Sequence, residues 1–295
     1  MAAALAILAS AVFGVADFLG GMSARRIPAA ISSLAALGCG LVLLGGAALV
    51  VGGSPGQDDL MLGAAAGLVG GAAITAFYFG LSVGSMSVVA PTSAVTSAIV
   101  PVVAGLAMGE RPGVVAWLGV AVAFPAIALI AREGTADPDV QASEPLEERT
   151  TPDGARLGLM AGLAAGAGFG LFVVIVTRTS EDSGLWPLVA SRAASVLLVG
   201  VVAALTAVWT AEVRASPTLR TGLLLAMAAG VLDGGSNILV LEAGRRGLIV
   251  VVGVILALYP ASTILLARGV LGERLQRHQV GGLAMAVLAV VLIAV

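Results

Sequence analysis

The sequence predicts an all-α membrane protein of ten transmembrane helices, arranged as two inverted five-helix repeats, and three observations carry that expectation. Hydrophobic residues make up 59% of the 295, charged residues only 11%, and the mean hydropathy is +1.08. A soluble domain needs roughly a quarter charged residues to cover its surface. Apolar stretches of about 20 residues, the length that crosses about 30 Å of hydrocarbon, recur from end to end between short breaks rich in Gly, Pro, Arg or acidic residues. Finally, the residues from Gly84 to Arg111 return as Gly247 to Arg274, without a gap, at an offset of 163. The same offset relates Ala66, Gly67 and Gly71 to Ala229, Gly230 and Gly234, and Gly119 and Ala123 to Gly282 and Ala286. Five crossings separate equivalent positions, so the second copy enters the membrane upside down.

Read in order, the first half (1–131) holds helices at 3–22, 28–51, 60–82, 86–108 and 113–131. The first helix begins apolar at once, lacks a basic leader and carries Asp17, so it reads as a retained span and not a cleaved signal peptide. The second starts beyond Arg25-Arg26 and contains Cys39; the third carries the close-packing pair Gly67 and Gly71. The fourth combines Ser87, Thr92, Ser93, Thr96 and Ser97 with Pro91 and Pro101. A Gly109-Glu110-Arg111 turn leads to the fifth, whose N-terminal dipole favours the acidic residue. Residues 132–155 are acidic, with Pro138, Pro145 and Pro152 among Glu144, Glu147 and Glu148, a composition that reads as a flexible linker.

The second half (156–295) holds helices at 156–178, 186–209, 220–243, 248–271 and 278–294. Gly162, Gly166 and Gly170 give the sixth a face for close packing. Trp186 and Trp209 bracket the seventh about 35 Å apart, a spacing that suits anchoring at both interfaces. The eighth repeats the small-residue pair as Gly230 and Gly234, and the ninth carries Tyr259-Pro260 where the fourth has its hydroxyl residues. His278 lies at the boundary before the last helix.

Composition excludes several functions. The net charge is −2 and no basic cluster exceeds two arginines, so no nucleic-acid partner is expected. One cysteine and one histidine rule out an internal disulfide and leave too few ligands for a thiolate or multi-His metal site. No cofactor or metal is expected. An intramembrane enzyme would need a nucleophile with a base or a metal set, which these counts oppose. No Walker A motif is present, so any coupling must come from an ion gradient or the solute's own gradient.

Charges within the hydrocarbon are the best functional markers, since each costs about 2.5–3.5 kcal/mol on insertion scales and persists only when paired, hydrated or used. Asp233 lies near the middle of the eighth helix, Asn237 follows one turn on, and the repeat counterpart of Asp233 is Gly70. This carboxylate either binds a cationic group, carries a proton, or is a structural tie to Arg192 on the antiparallel seventh helix. Asp17 is either a solute contact or a hydrated partner of Arg25 and Arg26; Glu242 reads as interfacial. Proline frees a carbonyl one turn earlier, which lipid tolerates only where protein groups or cavity water replace the bond, so the fourth helix with Thr96 reads as a cavity wall or a tight packing surface. Tyr78 and Tyr259 either contact a solute or pack.

Two copies of five helices, Gly-Glu-Arg after the fourth helix of each copy (Gly109-Glu110-Arg111 and Gly272-Glu273-Arg274), the following Gly119 and Gly282, and Arg192 together resemble the drug/metabolite transporter superfamily. More narrowly they are similar to its ten-helix EamA-domain members. The resemblance covers essentially the whole chain, but Ser32-Ser33 stand in the second helix where an arginine comparable to Arg192 is expected. It implies a secondary carrier in the plasma membrane, working by alternating access on small metabolites such as amino acids or related solutes, in the export direction, with protons as a candidate coupling ion. A cationic-drug exporter and a membrane receptor are the alternatives. It also implies a central cavity bounded by helices 1, 3, 4, 6, 8 and 9 and both termini in the cytoplasm. Counting loop arginines, nine on the side opposite the N-terminus against four on the N-terminal side, favours an N-terminus outside.

Overall fold

The computed structural model describes residues 1–24, 26–83, 86–131, 152–205, 218–271 and 276–294. It contains α1 (Ala2–Ala24), α2 (Ala29–Val51), α3 (Gln57–Val83), α4 (Met86–Ala107), α5 (Val114–Ala131) and α6 (Pro152–Val176). After a one-turn 3-10 helix at Glu181–Ser183 come α7 (Trp186–Leu205), α8 (Leu219–Arg246), α9 (Ile249–Leu256), α10 (Pro260–Leu271) and α11 (Arg277–Ala294). Ten spans are long and apolar enough to cross a membrane, α9 and α10 together forming the ninth. Among the described residues no strand occurs. Val50, Leu205 and Val114 are 88%, 82% and 78% exposed, so the outer surface is apolar and suited to lipid.

Helix ends depart from expectation in physically readable ways. The sixth helix begins at Pro152, four residues before the expected 156, because proline lacks only a donor that a first turn leaves unused. Residues 132–151 of the expected linker, like Trp209 and Gly272-Glu273-Arg274, lie outside the described residues. The ninth helix, expected unbroken over 248–271, is two. Pro260 has no N–H to bond the carbonyl of Leu256, and α9 ends at Leu256. Pro91 and Pro101, in contrast, lie inside a continuous α4.

Glycine and alanine set the packing, because interhelical contact in lipid comes from close backbone approach. A Cβ on Gly67 would sit 1.9 Å from the carbonyl oxygen of Ser191 on α7, and one on Gly230 would sit 2.0 Å from that of Ala36 on α2. These two glycines are repeat equivalents, and they serve equivalent interfaces, α3 on α7 and α8 on α2. Likewise α1 packs on α8 and α6 on α3. The Gly162, Gly166 and Gly170 face meets Val89, Ser93 and Ser97 of α4.

The fifth helix and its repeat equivalent pack directly on one another. Gly119 of α5 abuts Ala289 and Ile293 of α11, whereas Gly282 of α11 abuts Leu129 and Ile130 of α5. Early residues of each helix meet late residues of the other, so α5 and α11 run antiparallel.

Glu110 ties the halves together. Gly109 turns the chain at φ 86°, and the Glu110 carboxylate accepts hydrogen bonds from the backbone N–H groups of Ile249 (2.7 Å) and Val250 (3.0 Å). The acidic residue expected at the start of the fifth helix thus caps α9 in the other half, where the N-terminal dipole and unpaired donors favour a carboxylate equally well.

Candidate functional site

A cavity of about 230 Å³ lies among the helices. Its walls come from α1 to α4 and from α6 through the α9–α10 break, while α5 and α11 stand outside. The second and seventh helices therefore join the six expected to bound it, through Leu37 and Leu44 and through Leu188, Ser191, Arg192 and Ser195.

Asp17, Arg192, Asp233, Asn237 and Tyr259 all line this space. Arg192 Nη2 and Asp233 Oδ2 form an ion pair, with side chains 12% and 31% exposed. The helices that carry them each pack on α2, and the Arg192 guanidinium passes that helix at Gly40, where a Cβ would lie 3.4 Å from Nε. The pair therefore reaches across α2. Asn237 donates from Nδ2 to the backbone oxygen of Asp233 at 2.8 Å. Gly70, the equivalent of Asp233, faces the cavity beside the Phe172 ring, which a Cβ there would approach to 3.3 Å.

Asp17 is exposed on the cavity wall, and among the described residues its carboxylate has no hydrogen bond or ion pair. Arg26 is turned away, donating from Nη1 to Met22 oxygen at 2.7 Å, while Arg25 lies outside the described residues. Thr96 is not a lining residue. Its hydroxyl donates to Thr92 oxygen at 2.7 Å and its Cβ faces Gly166 of α6. Among the described residues of α4, Ser97 and Pro101 reach the cavity. Tyr78 lies on α3, with its side chain outside the described set.

The interrupted ninth span borders the cavity through Gly253, Leu256, Ala257 and Tyr259. Hydroxyls add to the backbone bonds at the break: Ser10 of α1 donates to Leu256 oxygen (3.4 Å), which also accepts the Tyr259 N–H (3.0 Å), and Ser262 donates to Tyr259 oxygen (2.9 Å). Thr263 donates to Gly14 oxygen of α1 at 3.1 Å, so the break is stitched to a neighbouring helix. Pro101 of α4 fits against Gly253, where a Cβ would come within 2.3 Å of the proline ring.

One end of the cavity is closed. Leu44 and Leu188 belong to an apolar cluster with Val176, Leu185 and Leu241. Nearby, Arg245 of α8 donates to the carbonyls of Ser180 (2.6 Å) and Gly184 (3.1 Å) and pairs with Glu242 at 3.4 Å. Glu242 also pairs with Arg246 at 2.7 Å. Asp59 of α3 accepts from the backbone N–H (2.8 Å) and hydroxyl (2.7 Å) of Ser180. The α6–α7 loop is thereby clamped between the N-terminus of α3 and the C-terminus of α8.

Phe13, Phe169, Phe172, Ser191 and Ser195 also line the cavity and were not singled out from the sequence. Phe13 was within reach of such reasoning, since it lies one turn before Asp17 on the same face. Ser195 likewise lies three residues after Arg192. Phe169 and Phe172 sit on a helix whose glycine face gave the only orientation signal, and nothing local shows which way they point. Among the described residues no group of three or more His, Cys, Asp or Glu side chains comes together that would hold a metal ion.

Comparison with known proteins gives two findings. A model of the EamA-like transporter family matches residues 1–132 and 156–295. A solved structure described only as "Crystal structure of protein" has a TM-score of 0.74 over 99% of this chain and 95% of its own, at 13% identity. At that identity the likeness is one of fold. A search of curated proteins gives no match.

Proposed function

The chain belongs to the EamA-like transporter family, a membrane transporter of the drug/metabolite superfamily, and from that premise we propose that it carries a small metabolite through the central cavity by alternating access. The observation that carries the reading is the position of the break in the ninth span. Discontinuous membrane helices mark solute sites because they present backbone groups and helix ends that an unbroken helix would conceal. Here the break lies on the cavity wall beside Tyr259, with Asp17, Arg192 and Asp233 around the same space. At about 230 Å³ the cavity falls below the roughly 300–1,000 Å³ of drug-sized pockets, which favours a metabolite over a bulky drug.

Alternating access needs one end closed while the other admits solute. The clamp of Asp59, Ser180 and Arg245 supplies the closed end in this conformation, and the antiparallel relation of α5 to α11 supports two inverted halves that exchange roles. Export across the plasma membrane, driven by protons, is the mode in keeping with the family and with a carboxylate at Asp17 that lines the same cavity as Asp233 and Tyr259. The chain acts as a carrier and not as an enzyme.

Flux into sealed vesicles containing purified protein, screened over amino acids, amines and organic acids, tests this reading. Accumulation of at least one solute far beyond the molar amount of protein is expected. Saturation at one solute per chain, without accumulation, would instead identify a receptor.

A further inference from the structure

Three charged side chains line the cavity, and two of them satisfy each other. Arg192 is held by Asp233, which leaves Asp17 as the cavity charge with no hydrogen bond or ion pair among the described residues. The lining thus carries one carboxyl group with no partner among the described residues inside the bilayer, where an acidic side chain persists only when paired, hydrated or used. Among the described residues no side chain compensates it. The missing positive charge belongs to whatever fills the cavity.

The rest of the lining defines the body of that occupant. Phe13 lies on the same face of α1 as Asp17, one turn away. Phe169 and Phe172 come from α6, and Tyr259 from the break between α9 and α10. Aromatic faces attract organic cations through their quadrupole, by about 2 kcal/mol or more when desolvated. A metal ion suits the site poorly, because hard cations take six or more oxygen ligands and no cluster of three acidic or imidazole groups forms among the described residues. A zwitterion or an anion also fits less well, since its carboxylate would compete for Arg192 and strand Asp233 in Asp17's condition. We propose that the cavity binds a small organic monocation, an amine or quaternary ammonium with an apolar body, its charge on Asp17 and its body against Phe13, Phe169 and Phe172.

The asymmetry of the repeat agrees. The first helix of the second half, α6, carries no charged residue after Arg156 near its start, so the charge is built into one half only. This inference rests on the cavity's being the solute site, but the two readings fail separately.

The test is calorimetric binding of phenyltrimethylammonium, phenylalanine, 3-phenylpropionate and 3-phenylpropanol to the full-length protein in detergent. The ammonium ion should bind more tightly than the other three, Asp17→Asn should weaken it at least tenfold, and Asp17→Glu should retain the preference for positive charge. Equal binding of the ammonium ion by monodisperse Asp17→Asn would overturn the proposal. So would a wild-type preference for phenylalanine, 3-phenylpropionate or the neutral alcohol, or failure of the ammonium ion to bind wild type; these comparisons use the native chain and stand even if the Asn variant misfolds. Cation binding without flux in sealed vesicles would remove the transporter reading and leave this one intact, whereas flux of an anion or zwitterion with no cation binding would remove this one alone.

Discussion

At the scale of single residues, the cavity contains one satisfied charge pair and one unsatisfied carboxylate, and they call for opposite experiments. Removing either Arg192 or Asp233 leaves its partner uncompensated, and breaking a buried pair in this way costs about 3–5 kcal/mol. Asp233 is 31% exposed to the cavity, so Arg192→Met or Asp233→Leu should each cost less, about 2–3 kcal/mol by that measure. The double variant should lose less than either single one. Denaturation in detergent across the four proteins gives the coupling, and simple additivity would mean that the two side chains do not interact. Glu110 makes a different kind of contact, accepting from two N–H groups at the start of α9. Glu110→Ala should cost about 1–2 kcal/mol, the range for loss of a helix cap, read as a lower melting temperature.

At the scale of elements, the ninth span is the one helix whose form the cavity requires. Proline in a helix interior costs about 3 kcal/mol, and the chain avoids that cost by breaking so that Pro260 is the first residue of α10, while Ser10 and Ser262 add donors at the break and Thr263 ties it to α1. Pro260→Ala restores the donor and should let α9 and α10 join. The expected result is a melting temperature equal to or above wild type with flux reduced at least tenfold. Undiminished flux in this variant would show that the break is not needed for transport. Ser10→Ala should lower stability by about 1 kcal/mol, the usual worth of a hydrogen bond, because it removes the hydroxyl that Leu256 oxygen accepts from.

At the scale of the molecule, the two halves are expected to present equivalent positions to opposite sides of the membrane. In a Cys39→Ser background, cysteines at Gly113 and Gln276, which precede α5 and α11 at equivalent repeat positions, should react with an impermeant thiol reagent from opposite faces. Reaction of both from one face would exclude inverted halves. The clamp at the closed end should behave as a gate. Arg245→Ala removes the hydrogen bonds to Ser180 and Gly184, so a cysteine at Leu188 should become at least severalfold more reactive from that side. Unchanged reactivity would mean that the apolar cluster alone holds this end shut. The sequence by itself determined the membrane class, the ten spans and the duplication, because hydrophobic length and a gapless repeat are local properties that lipid and chain topology translate directly into architecture. It also marked Asp17, Arg192, Asp233, Asn237 and Tyr259, since polar groups are costly in hydrocarbon wherever they face. Only the tertiary structure decided that Pro260 breaks its helix while Pro91 and Pro101 do not, that Glu110 caps α9 and not the helix it precedes, and that Thr96 bonds Thr92 while Phe169 and Phe172 face the cavity. Each of those outcomes depends on which neighbouring helix stands within a few ångströms, and for a helix apolar on every side the sequence carries no record of that.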